Sequence, residues 1–286
     1  MLAARRAEDL PFLETRFRRI VPTAEASFHF VDLASFDSIR RFATRLSGGE
    51  HIDVLLHNAG IILPSEERQT TEDGLEVNLA VAAVGPMLLS LALKPVLARP
   101  SRIIGVNSAL HKPGSFGDEV AFQFDDPNLT NGYTGSRAYK NAKLAQLWFL
   151  FEWERQFGAE GLHTDAISPG FVPSTAARTA RGMQWFLLRF VWPLLPFSTS
   201  VTKAAVHVGR VCERDLDEPG GRHFEGERLS DPSADARSRD KAIAFWTIAA
   251  SWLGIEGSSE SQVQSAVGYS GLANRAGEDG SGDGHQ

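Results

Sequence analysis

Short apolar runs that alternate with longer segments of helical period constrain this chain more than any other feature. SFHFVDL at 27–33, IDVLLHNAG at 52–60, SRIIGVNSA at 101–109 and LHTDAISPG at 162–170 read as strands, the last stopped by Pro169 and Gly170. Between them, Ser35 can cap a helix through Leu46, a long apolar helix runs from about Gly74 to Leu97, and another occupies roughly 135–157. A helix near 200–213, a short strand at RHFEG (222–226) and a final helix around 239–253 follow, with no internal repeat. Parallel neighbours need a crossover connection and a helix supplies it, so this alternation predicts an α/β fold built on a parallel sheet.

In open parallel sheets, ligands sit at the carboxyl ends of the strands. The polar residues expected there are Asp32, Asn58, Ser108 and the turn from Ser168 to Ser174, and the helix carrying Tyr139 follows the Ser108 strand directly. In that helix, AYKNAKLAQ (138–146) stacks Tyr139 and Lys143 one turn apart on one face. Alone, the pair supports two readings: a proton-transfer device, or a packed tyrosine beside a solvated lysine.

With 286 residues, 43% of them hydrophobic and 22% charged, the chain can bury one substantial core. One domain is expected over 1–257, followed at 258–286 by a disordered tail rich in Gly, Ser and Asp, which ends GEDGSGDGHQ and lacks the apolar surface to order itself. A net charge of −6 without a basic face argues against a nucleic-acid partner. The lone Cys212 can form no intramolecular disulfide, and MLAARRAEDL lacks the apolar core of a signal peptide, so a reducing, cytoplasmic setting is expected. The apolar run MQWFLLRFVWPLLPF (183–197) is interrupted by Arg189 and two prolines and is too short to span a bilayer, so no transmembrane segment is expected. Its Trp185, Phe186, Phe190 and Trp192 either cover an apolar substrate or belong to the core. The eight histidines show no metal-ligand spacing, and no G-x-S-x-G turn surrounds Ser108, which weakens a serine hydrolase built on Ser108 and His111.

Six stretches taken in order resemble the short-chain dehydrogenase/reductase family, in particular its retinol-dehydrogenase-like branch with many fungal members. They are VDL at 31–33, HNAG at 57–60, TEDGLE at 71–76, SRIIGVNSALH at 101–111, AYKNAKLAQ at 138–146 and SPGFVPS at 168–174, and the resemblance spans nearly all of residues 1–255. It implies a Rossmann-like doubly wound sheet and hydride exchange between a nicotinamide and a carbonyl or alcohol carbon. A proton must move at the oxygen with that hydride, and a phenol suits the task only if its pKa falls from about 10 toward neutrality. The resemblance assigns that role to Tyr139, with the Lys143 ammonium favouring the phenolate and bonding the nicotinamide ribose, and with Ser108 holding the substrate oxygen. It further assigns Asp32 to the adenine, Asn58 to the NNAG asparagine, and Val172 and Ser174 to the cofactor's carboxamide and phosphates. Arg5 matches an arginine that pairs with a 2′-phosphate, which favours NADP over NAD. His57 replaces the first NNAG asparagine and reads as a histidine with a satisfied hydrogen bond at a strand end. A homodimer or tetramer and a place in secondary metabolism are further implications.

The chain departs from the pattern in three places. The family's first strand and TGxxxGIG turn, whose amides bind the pyrophosphate, have no counterpart, and Met1 falls where the family's second strand is ending. An N-terminally truncated sheet is therefore expected, in which the strands at 27–33 and 52–57 each lose a neighbour. Either Met1 is internal to a longer gene product, or the chain holds a dinucleotide poorly. Second, Ala82 occupies the place of the family's helix asparagine, while Pro86, lacking an N–H, frees the Ala82 carbonyl from its helical bond. That carbonyl either keeps the family's water site or belongs to a degenerate helix. Third, Asn107 replaces the first serine of the usual pair. Two functions follow: an NADP(H)-dependent oxidoreductase acting on an apolar small molecule, or a catalytically impaired protein with a scaffold or binding role.

Overall fold

The structure, a computed structural model, describes residues 1–49, 51–61, 67–114, 122–173, 186–195 and 198–255. Strands β3 (Ile52–His57), β4 (Leu97–Val106), β5 (Leu162–Ser168) and β6 (Arg222–Glu225) form a parallel sheet in that order, and β7 (Arg228–Leu229) closes its edge antiparallel. Period-two alternation gives each strand two working faces. Ile103 and Ala166 join the larger core with Leu147, Trp148 and Trp153 of α5 (Gly135–Phe157), whereas Ile104, Ile167 and Phe224 pack on the opposite face against Val211 of α6 (Val201–Cys212). Helices on both faces make the sheet doubly wound, as the strand–helix alternation and the family resemblance together predict. Gly105 permits the close approach of α5, because a Cβ there would stand 2.6 Å from Leu150 Cδ1.

β1 (Leu2–Ala4) pairs in parallel with β2 (Phe28–Phe30), linked by α1 (Leu10–Ile20), and this two-stranded sheet hydrogen-bonds to no strand of the larger one among the described residues. It is tied to the body through helices: α2 (Phe36–Leu46), capped by Ser35 as expected, packs on α4 (Gly85–Leu93), and a Cβ on Gly85 would lie 2.3 Å from the Leu33 carbonyl. The expectation that the strands at 27–33 and 52–57 each lose a neighbour therefore needs one correction. The strand at 28–30 has a neighbour, because three N-terminal residues suffice to form β1; among the described residues β3 pairs on one edge only, with β4.

α3 (Val77–Leu79) continues as a π-helical turn, Ala80–Val84, into α4. Across Val77–Val96 this segment is long and apolar enough to cross a membrane, but 89% of it is buried within the fold, as in a core helix. Chain order is completed by α7 (Ala234–Arg237) and α8 (Arg239–Leu253), the latter packed on α5. The tail expected to be disordered lies outside the described residues.

Candidate active site

Ser108 stands two residues beyond β4, where parallel pairing with β5 ends, and its hydroxyl accepts a hydrogen bond from the Leu110 amide at 3.3 Å. Thr134 caps α5 by accepting from the Arg137 amide at 3.1 Å, which sets the helix so that Tyr139, five residues on, faces Ser108. The two side chains are hydrogen-bonded. Burial raises the Tyr139 phenol above its ordinary value, and the Ser108 bond opposes that without cancelling it. The lowering expected from Lys143 is not made in this arrangement. The Lys143 ammonium lies 5.9 Å from the Tyr139 ring centroid and donates instead to the Val106 carbonyl at 2.7 Å and Gln146 Oε1 at 3.3 Å. Burial lowers its pKa to about 8.

Asn58 lies exposed just past β3, and two residues on, a Cβ at Gly60 would meet Lys143 Nζ at 3.6 Å, so the HNAG loop flanks the ammonium. His57 fills the role expected of it: its ring is buried, Nε2 is 2.8 Å from Ser90 Oγ, and burial lowers its pKa to about 3. Val172 follows β5 and is half-buried beside Phe171, which bridges to Ser198. Ser174 and Trp185 lie outside the described residues. Arg5 and Asp32 lie just past the strands of the separate two-stranded sheet, after β1 and β2 respectively. The Asp32 carboxylate accepts from the Ala34 amide at 2.9 Å, and Arg5 is exposed after β1. The main sheet thus gathers Asn58, Ser108, Tyr139, Lys143 and Val172, while the residues matched to adenine and 2′-phosphate stand beside the smaller one.

Sequence reasoning gave no role to Gln146, and His111 entered it only as the partner of Ser108 in the disfavoured hydrolase. His111 is fully buried; its Nδ1 lies 2.7 Å from the Ser108 carbonyl, a group that can only accept, and its Nε2 accepts from the Ser233 amide at 3.3 Å. It therefore clamps the serine loop to the cap of α7. At position 82, the Gly85 amide bonds the Ala80 carbonyl, five residues back, which is the π register that a proline at 86 favours by removing one donor.

At the nicotinamide end the residues fit a dinucleotide: hydrogen-bonded Ser108 and Tyr139, and a buried lysine whose ammonium lies beside Gly60 of the HNAG loop. For the pyrophosphate, no glycine-rich turn between a strand and a helix N-terminus occurs among the described residues.

No family model matches the chain. It is 31% identical over 242 residues to human retinol dehydrogenase 13, covering 79% of this chain and 68% of that protein. It is also 35% identical over 155 residues to the short-chain dehydrogenase/reductase prx1 of Penicillium rubens, covering 52% of this chain and 43% of that one. The structure of NADPH-bound carbonyl reductase from chicken fatty liver superposes with a TM-score of 0.54 at 17% identity, covering 81% of this chain and 86% of that chain, which shows a shared fold. By its identity to a retinol dehydrogenase over most of both lengths, the chain belongs to the short-chain dehydrogenase/reductase family of oxidoreductases.

Proposed function

We propose that this chain interconverts a ketone or aldehyde and an alcohol on an apolar small molecule, using NADP(H). The observation that carries the reading is the hydrogen bond between Ser108 and Tyr139, with the Lys143 ammonium one helical turn further on. When bound, the nicotinamide supplies or accepts the hydride. Tyr139, whose raised pKa keeps it protonated at neutral pH, donates its proton to the carbonyl oxygen in the reductive direction, and the Ser108 hydroxyl holds that oxygen in place. Lys143, buried yet flanked by an exposed loop, is positioned to bind the ribose. The choice of NADP is supported by Arg5 and by the NADPH held in the chicken reductase.

The apolar substrate is supported by the segment after β5. Phe186 and Phe190 are 49% and 51% exposed with rings 5.3 Å apart, and Leu194 is 83% exposed, so these side chains are not core packing. Uncovered apolar surface of this kind suits a lipid-like or polyketide-like ligand. A role in secondary metabolism and a reducing, cytoplasmic setting belong to the same reading, from the family branch and the lone Cys212.

One observation favours the second reading, a binding or scaffold role without redox chemistry: the sheet is parted between β1 and β3. NADPH titration followed by thermal unfolding separates the two. Saturation at one hundred times Kd stabilises a competent site by about 2.7 kcal/mol. A melting temperature indifferent to NADPH selects the scaffold.

A further inference from the structure

Lys143 is buried, and among the described residues no carboxylate pairs with it. An ammonium in that position needs acceptors, and the fold supplies two that the family motif does not name: the Val106 carbonyl at 2.7 Å and Gln146 Oε1 at 3.3 Å. Gln146 is itself buried and could present either end of its amide. Asn107 decides which. Its Nδ2 donates to the Lys143 carbonyl at 2.8 Å, a group that can only accept, and the same nitrogen lies 3.0 Å from Gln146. Gln146 must therefore turn its oxygen toward Asn107, and that oxygen is the one the ammonium meets. The departure at 107 thus has a physical consequence, because a serine is too short to bridge both groups.

We infer that Gln146, oriented by Asn107, is a positioning residue that seats the Lys143 ammonium against the Val106 carbonyl. The seat commits two of the ammonium's three N–H groups and leaves one for the ribose or phenol side. It neutralises no charge, so the lysine stays buried without the carboxylate that would hold its pKa high. This inference rests on the reading of Lys143 as a working group of the site.

The test is carbon-13 NMR of the full chain with lysine labelled at Cε, the Lys143 resonance being assigned by its loss in Lys143→Met. Gln146→Met removes an acceptor from the charged form and should lower the Lys143 pKa by roughly 0.4–1 unit. Gln146→Glu keeps the oxygen facing Asn107 but adds a negative charge, and should raise it by about one unit or more. Asn107→Ser should lower it as well, and adding Gln146→Met to Asn107→Ser should shift it little further. Opposite signs for Met and Glu are the result expected; a purely packing role would not reverse sign. A Lys143 titration unmoved in both variants overturns the proposal. Should Gln146→Met fail to fold, the sign of the Glu shift alone decides. The titration requires neither cofactor nor turnover: a responsive lysine in an inactive chain refutes the catalytic reading alone, and an unmoved lysine in an active chain refutes the seat alone.

Discussion

Tyr139→Phe is expected to lower the turnover of a ketone by about 10²–10⁴-fold, the range that a positioned proton donor contributes. The change removes one oxygen from a half-buried ring and leaves the helix contacts in place. Losing its bond to Ser108 costs about 0.5–1.5 kcal/mol of stability, too little to unfold a domain of this size. A fall in kcat with NADPH affinity and melting temperature nearly unchanged would place the phenol in the chemical step. Equal turnover in the variant would mean that the proton comes from elsewhere, and the Ser108–Tyr139 bond would then be packing.

The second large effect concerns stability. Arg102 on β4 and Asp165 on β5 are both fully buried, and their ion pair spans 2.7 Å. Arg102 also donates to the Asp215 carbonyl at 2.8 Å and the Glu218 carbonyl at 2.6 Å, while Asp165 accepts from the Arg222 amide at 3.0 Å. Replacing Arg102 with methionine leaves the carboxylate buried with Arg214, 3.9 Å away, as its remaining cationic neighbour among the described residues and with Glu154 repelling its charge. Removing one partner of such a pair costs about 3–5 kcal/mol, a melting-temperature drop of roughly 6–20 °C by calorimetry. Arg102→Met/Asp165→Leu should recover part of the loss, since the uncompensated charge goes with it. An Arg102→Met protein that melts with the wild type would show that water or Arg214 already compensates Asp165.

Legibility in the sequence follows the range of the forces involved. The helices read at 135–157 and 239–253 end where local capping ends them: Thr134 begins one, and Gly254, at φ 71°, closes the other in the left-handed region. β1 and α1 were illegible. The strand is three residues long, too short for a period of two to show, while α1 carries Leu10, Leu13, Phe17 and Ile20 at helical spacing but buries none of them, so its pattern pointed to no packed element. Ser108, Tyr139 and Lys143 were legible as a family pattern, and their proximity required only that β4 and α5 pack as that pattern implies. The seat of Lys143 was not, because its nearest acceptor is a main-chain carbonyl, which no side-chain motif can encode. For the same reason the expected lowering of the Tyr139 pKa is absent from the structure: the ammonium that would cause it is drawn onto the sheet.

In the proposed reaction, Ser108, Tyr139 and Lys143 work on an oxygen while a nicotinamide exchanges hydride with its carbon. Hydride transfer itself is the most direct test: NADPH deuterated at its transferring position is incubated with the chain and a panel of apolar ketones, and the products are read by mass spectrometry. The wild type is expected to form alcohol carrying one deuterium on the carbinol carbon, and Tyr139→Phe to lose it. Saturated binding of NADPH with no deuterium in any product would contradict it.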